Sequence, residues 1–397
     1  MPFRSKVSLI FLMGFALDLL NLFVLNSAYP ALQRQLGASV TQLGWVGNAY
    51  MLGLTLIIPL GNGLAQRIGE RATLLLSLAL FGLGCALAGS ARSIEALIGW
   101  RLLQGLGGGL LIPVGQALAY RACPASERAG LTSRVMMVAL LVPALSPALG
   151  GLMADQGDWR WVFFALLAPT LACAALVLAW LPGGRPQPSV RPALDLRLLR
   201  QPLLHTAMLI YLCVPGVFMG INLVAALYLQ GTLGLSATAT GGLMLPWAAG
   251  ALAAIALSRW RFNALGPRPL LLAGMGIQSL AVLALASPWL VAHPGWLVLL
   301  YALLGLGSSL CSSTAQTAAF VAIPEAAMGA ASALWSLNRQ LSFFFGVALL
   351  GAVLDWRLPE PTAYAQALAL GAALTLLPLP WVLRLPGARA LFVQPVE

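Results

Sequence analysis

Residues 94–120 read IEALIGWRLLQGLGGGLLIPVGQALAY, with Glu95 at the start and Arg101 seven residues in as the only charges. A hydrocarbon core about 30 Å thick takes about 20 mostly apolar residues as a helix, and this run is long enough to cross one. Gly105 and Gly107 to Gly109 let a neighbouring helix approach closely. Arg101 is costly in such a setting unless it finds a partner inside the protein. The segment therefore predicts a membrane helix buried among other helices rather than a lone anchor.

The rest of the chain repeats that pattern. Of its 397 residues, 60% are hydrophobic and 8% charged, against about half and about a quarter in soluble proteins; the mean hydropathy is +0.89. A soluble multidomain enzyme, a single-anchor protein and a disordered chain are excluded on this balance. The apolar stretches are continuous runs of Leu, Ala and Gly, not short segments of alternating polarity, so a β-barrel is excluded too. Runs bounded by Pro, Gly and charges predict spans at 7–29, 45–66, 73–91, 94–120, 133–154 and 161–181, then 204–229, 239–258, 269–291, 296–321, 329–353 and 365–383. The fold class expected is an all-α integral membrane protein of twelve helices in two six-helix bundles. Between them, 182–203 holds Pro186, Pro188, Pro192, Arg185, Arg191, Arg197 and Arg200, a composition that cannot cross lipid. The expected domains are 1–181, a linker at 182–203, and 204–397. The first run is longer than a signal-peptide core and contains Asp18 and Asn21, so it reads as a retained span.

Net charge is +11, yet topology explains this better than a nucleic-acid partner. All basic residues but Lys6 are arginine. With twelve spans, one side collects Arg4, Lys6, Arg67, Arg71, Arg121, Arg128, Arg134, Arg185, Arg191, Arg197, Arg200, Arg259, Arg261, Arg268, Arg384 and Arg389. The other side holds Arg34, Arg92, Arg160 and Arg357. The richer side is expected to be cytoplasmic, with both termini there. The halves also resemble each other. Gly105 to Leu110 matches Gly305 to Leu310, and Gly151 to Asp155 matches Gly351 to Asp355, both offset by 200; Ile68 to Arg71 matches Leu265 to Arg268 at 197. Such internal repeats are common in secondary transporters.

Of the eleven acidic residues, ten fall in loops or at membrane edges by this topology, and the exception is Asp18. Eleven residues into the first run, it lies about 16 Å deep at 1.5 Å per residue, with Asn21 one turn on. Its functional reading is a carboxyl that binds and releases a proton as its exposure alternates; its structural reading is an ion pair with Arg101 or Arg339, and one group can serve both. A guanidinium does not deprotonate, so neither arginine is the carrier. Pro143, Pro147, Gly150 and Gly151 in the fifth span soften a helix and suit a seam that rocks.

Several of these segments resemble the major facilitator superfamily, and within it the drug/proton antiporters. Arg101-x-x-Gln104-Gly105-x-Gly107 resembles the superfamily's intramembrane arginine motif. Ser146-Pro147-Ala-Leu-Gly150-Gly151 resembles the antiporter motif, with Ser146 where Gly is usual. Asp158-Trp159-Arg160-Trp161-Val162-Phe163-Phe164, Asn26-Ser-Ala-Tyr-Pro30, and Ser332 to Leu350 with Arg339 look like the fourteen-helix branch. There are departures. The loop Asn62 to Arg71, with Arg67, Gly69 and Arg71, has Gln66 where an Asp is usual, which weakens a cytoplasmic charge network. Asn21 stands where that branch has an acid, the acid here being one turn earlier at Asp18, and no additional helix pair separates the halves.

By this resemblance, the first, fourth, seventh and tenth spans would line a central cavity. Their polar residues are Asp18, Asn21, Asn26, Arg101, Gln104, Tyr211, Asn222, Ser312, Ser313 and Gln316; Trp247, Trp335, Asn338 and Gln340 come from neighbouring spans. One acid, two arginines and many apolar groups suit an amphipathic or lipophilic small molecule. No nucleotide loop, disulfide framework or metal-ligand spacing is present in the sequence, so no cofactor, metal or enzymatic chemistry is expected. The reading is a proton-coupled exporter in the bacterial inner membrane, with substrate, protons and the lipid bilayer as partners and a monomer sufficient. A specific metabolite or sugar carrier, and a non-transporting scaffold or sensor, remain as alternatives.

Overall fold

The computed structural model describes residues 2–24, 32, 35–38, 40–155, 158–183, 194–235, 237–287, 294–357, 360 and 362–386. Among these the structure is helical throughout, without strands. The N-terminal half contributes α1 (Phe3–Phe23), α2 (Val40–Ile68), α3 (Glu70–Gly89), α4 (Ile94–Arg121), α5 (Arg128–Asp155) and α6 (Trp161–Trp180, broken near Ala165). The C-terminal half contributes α7 (Pro202–Tyr211, continuing over Val217–Gly231), α8 (Met244–Leu265, preceded by Ala237–Gly242), α9 (Pro267–Leu285), α10 (Leu297–Val321), α11 (Met328–Arg357) and α12 (Ala363–Leu376, then Leu379–Leu383). Eleven of these segments are long and apolar enough to cross a membrane; α5 has 28 residues. This is a multi-pass membrane protein.

Some boundaries differ from expectation, for one reason. α1 begins at Phe3 rather than at 7, and α8 runs to Leu265 rather than 258. Apolarity ends where lipid ends, whereas a helix continues into water as long as its backbone bonds close and no breaker intervenes. Turn glycines do the breaking. Gly69 and Gly266 adopt φ of 87° and 76°, ending α2 and α8, and Gly37 and Gly234 adopt 62° and 65°. These are left-handed conformations that only glycine takes without strain. Both pairs are 197 residues apart.

Two compact units are formed. One holds Met1–Pro124, Met137–Asp195 and Pro324–Leu337; the other holds Ala125–Met136, Leu196–Ile323 and Asn338–Glu397. In the first, α4 is the axis, buried from Gly107 through Tyr120. Its small residues are what admit its neighbours: a Cβ on Gly105 would strike the Tyr50 carbonyl of α2, and one on Gly107 the Phe81 backbone of α3. Ser77 of α3 also donates to the Gly107 carbonyl at 2.6 Å. In the second unit α10 is the equivalent axis. A Cβ on Gly305 would strike the Trp247 carbonyl of α8, and one on Gly307 the Gln278 backbone of α9. The same crossings recur at the 197 and 200 offsets.

Candidate functional site

The site grows from the seam between α1 and α4, which run antiparallel. Along it Gly115 faces Phe11, a Cβ on Gly14 would press on Leu111, and Asp18 lies opposite Gly108. A Cβ at Gly108 would stand 2.7 Å from the Tyr50 hydroxyl and 3.5 Å from Asp18 Oδ1. The missing side chain is therefore the space in which an acid from α1 and a phenol from α2 meet. The Tyr50 hydroxyl donates a short hydrogen bond to Asp18 Oδ1.

One turn further along α1, Asn21 Oδ1 accepts from Arg101 Nη1 at 2.7 Å and from Gln104 Nε2 at 3.0 Å. Arg101 also donates to Gln104 Oε1 at 2.6 Å and, through Nε, to the Val46 carbonyl at 3.0 Å. Its guanidinium stands over the Tyr50 ring, 4.5 Å from the centroid, with Phe163 at 5.8 Å. Gln104 reaches Cys85 Sγ at 2.8 Å. Asp18 is 4% exposed, and Asn21, Tyr50, Arg101 and Gln104 between 0% and 1%. A charge taken this far from water costs several kcal/mol unless its hydrogen-bonding positions are filled. Here α1, α2 and α4 fill most of them.

Four of the predicted residues, Asp18, Asn21, Arg101 and Gln104, are thus drawn together within one unit. Asn26 lies outside the described residues. Tyr211 and Arg339 belong to the other unit, where Arg339 couples electrostatically to Tyr211 and the Tyr211 ring lies 6.0 Å from Phe343. Trp247 stacks on Phe218 at 5.7 Å, and Asn222 is half-buried. Ser312 donates to the Ser309 carbonyl at 3.2 Å, Asn338 to the Met208 carbonyl at 3.1 Å, and Gln316 and Trp335 are buried. Several of these polar atoms are spent on their own helices or neighbours. α7 contains a π-turn at Leu212–Gly216 around Pro215, a local widening often found at functional places in helices.

At the α2–α3 turn, Gly69 bends the chain, Arg67 is exposed, and Arg71 Nη2 donates to the Leu178 carbonyl at 3.1 Å. Glu70 pairs with Arg121 at 2.7 Å, so an ion pair persists there although Gln66 replaces the usual acid. α5 runs as a continuous helix through Pro143, Pro147, Gly150 and Gly151, whose side-chain surroundings lie outside the described residues. Sequence reading missed Tyr50 and Cys85. Tyr50 carried a usable signal: a phenol inside an apolar run needs a partner for its hydroxyl.

The Major Facilitator Superfamily profile matches residues 11–347. The chain belongs to this superfamily. It is accordingly a transporter of small molecules rather than an enzyme. Its relatives include proteins named "Putative multidrug resistance protein MdtD". That of Yersinia enterocolitica is 25% identical over 398 residues, covering 86% of this chain and 84% of the relative. That of Cronobacter sakazakii is 30% identical over 170 residues, a match spanning 36% of the relative's length. Among solved structures, the human organic anion transporter MFSD10 superposes with a TM-score of 0.76 at 17% identity, covering 96% of this chain and all of the other. The proton:xylose symporter XylE gives 0.74 at 17% identity, covering 97% and 96%. At such identity these two structures speak to the fold alone.

Proposed function

We propose that this superfamily member is a proton-coupled antiporter that exports small amphipathic or lipophilic compounds by alternating access, with Asp18 as the proton carrier. The observation that carries this reading is the Tyr50 hydrogen bond to a buried Asp18, with Arg101 over the same tyrosine ring. When Asp18 is ionised, the phenol donates to it and the nearby guanidinium supplies the compensating charge. When Asp18 is protonated it becomes a donor itself, and a phenol oxygen can accept. Neither state leaves a bare charge in a medium of low polarity, as a carboxyl that cycles between the two requires. Multidrug resistance in the names of the relatives supports the substrate class.

The same proposal takes 1–181 and 204–397 as the two six-helix halves that rock about the fifth and eleventh helices. It places both termini in the cytoplasm, on the arginine-rich side of a bacterial inner membrane, and takes a monomer as the working unit. The test is uptake of a lipophilic cation and of a neutral drug into inside-out vesicles energised by a pH gradient. Wild type is expected to accumulate at least one of them, and Asp18→Asn neither. Undiminished accumulation by Asp18→Asn would remove Asp18 as carrier. If neither compound moves with wild type, a specific metabolite is the cargo instead.

A further inference from the structure

At the inner end of the second unit lies a cavity of about 400 Å³, lined chiefly by Ser126, Glu127, Gly130, Arg134, Arg259 and Asn263. That volume is within the range of small-ligand sites. Its walls are the start of α5 and the end of α8. Asn263 Nδ2 donates to the Ser126 carbonyl at 2.7 Å, tying the two together. Arg259 Nε lies 4.0 Å from where a Gly130 Cβ would stand, so the guanidinium fits over a bare backbone. Arg128 is turned away, donating to the Phe320 and Val321 carbonyls that end α10. The charged residues that line the cavity are Arg134, Arg259 and Glu127, a surplus of one positive. Both arginines are exposed, and among the described residues neither is in an ion pair.

The first unit shows what a closed version looks like. There Asn62, Glu70, Arg121 and Gly329 surround only about 10 Å³, and Arg121 is neutralised by Glu70 at 2.7 Å. At the 197 offset Glu70 corresponds to Pro267 and Asn62 to Arg259. The second repeat lacks the acid and has gained a base, leaving both space and positive charge unfilled.

Two neighbouring features point to lipid as the source of the missing anion. Trp260 is 71% exposed with the Arg261 guanidinium 3.9 Å from its ring centroid, an arrangement suited to headgroup depth. Along the face of α8 that carries Arg259, Ala256 and Leu252 are exposed one and two turns back, which continues the site into an apolar track. We propose that this cavity binds the phosphate of an anionic phospholipid, with Arg134 and Arg259 holding the phosphate oxygens and an acyl chain lying along Ala256 and Leu252. Basic pockets between membrane helices suit such headgroups. This site is separate from Asp18 and does not depend on the transport reading.

The test is native mass spectrometry of the full chain in detergent, titrated with phosphatidylglycerol, phosphatidylcholine or inorganic phosphate. Wild type is expected to retain phosphatidylglycerol in preference to phosphatidylcholine. Arg134→Gln and Arg259→Gln should each lower that retention about fivefold, as expected for one lost guanidinium near a lipid phosphate. Arg261→Gln, which removes the same charge outside the cavity, should keep it. Equal retention of the two lipids, or the same loss in Arg261→Gln, would overturn the proposal. So would displacement of phosphatidylglycerol by millimolar inorganic phosphate, which would make this a site for a free anion. The three arginines are exposed or half-buried, and an unchanged melting profile verifies that each variant is folded.

Discussion

The two repeats use one helical scaffold for opposite chemistry. In the first, the positions facing each other across α1, α2 and α4 are Asp18, Asn21, Tyr50, Arg101 and Gln104. Carrying them forward by 200 on α1 and α4 and by 197 on α2 gives Phe218, Ile221, Trp247, Tyr301 and Leu304. These five pack in one apolar cluster. Where Tyr50 bonds Asp18, Trp247 stacks on Phe218 with ring planes 10° apart. The close-approach glycines are common to both, Gly53 with Gly250 and Gly105 with Gly305. The comparison teaches that backbone crossings and side-chain chemistry are separable: small residues set how near the helices come, and what lies between them is free to be a polar network or a stacked apolar core.

Replacing Asp18 by Asn is the strongest way to break this contrast, since it removes the ionisable carboxyl from the first repeat's network while keeping its shape. Accumulation driven by the pH gradient should fall to passive leak, while Phe218→Leu in the second repeat should leave coupling intact in the same vesicles. Next in size is Arg101→Met. Removing that cation strands Asn21, Gln104 and the Val46 carbonyl in a buried site, and breaking a buried charge network typically costs about 3–5 kcal/mol. The expected result is a clear fall in thermal stability in detergent, whereas Tyr301→Phe at the corresponding position should shift the melting temperature far less.

Gly108→Ala sharpens the steric side of the argument. Its new methyl would stand 2.7 Å from the Tyr50 hydroxyl, and overpacking of this kind costs about 1–3 kcal/mol. Transport should drop with stability, and a wild-type rate would show that the phenol and carboxyl move apart without consequence. The smallest effect is expected at the equivalent position 200 residues on. Ser308 already has a side chain there, and among the described residues its buried hydroxyl has no hydrogen-bond partner. Ser308→Ala should therefore leave stability unchanged or slightly raised, by at most about 1 kcal/mol, when both glycine-equivalent variants are melted side by side.

Much of this was legible from residue order. Span number followed from continuous apolar runs, because a bilayer of given thickness demands helices of given length. The repeat followed from matched glycine segments, and Asp18 and Arg101 stood out because charges inside such runs are costly. Helix ends were less legible, since α1 and α8 outlast their apolar stretches.

What the chain's order determined by itself is a set of local quantities: hydrophobic length, the location of charges, and the glycines that permit turns and close approach. Only the tertiary structure decided partnership. Sequence pointed to Arg101 or Arg339 as the partner of Asp18; the structure adds Tyr50, whose hydroxyl donates to the carboxyl, and holds Arg101 against Asn21, Gln104 and the Val46 carbonyl. Residues 18, 50 and 101 lie on three helices, and their meeting depends on how far Gly105 and Gly108 let those helices close. Helix separation is a property of packed surfaces, not of any one segment, and so it is read only once the segments are packed.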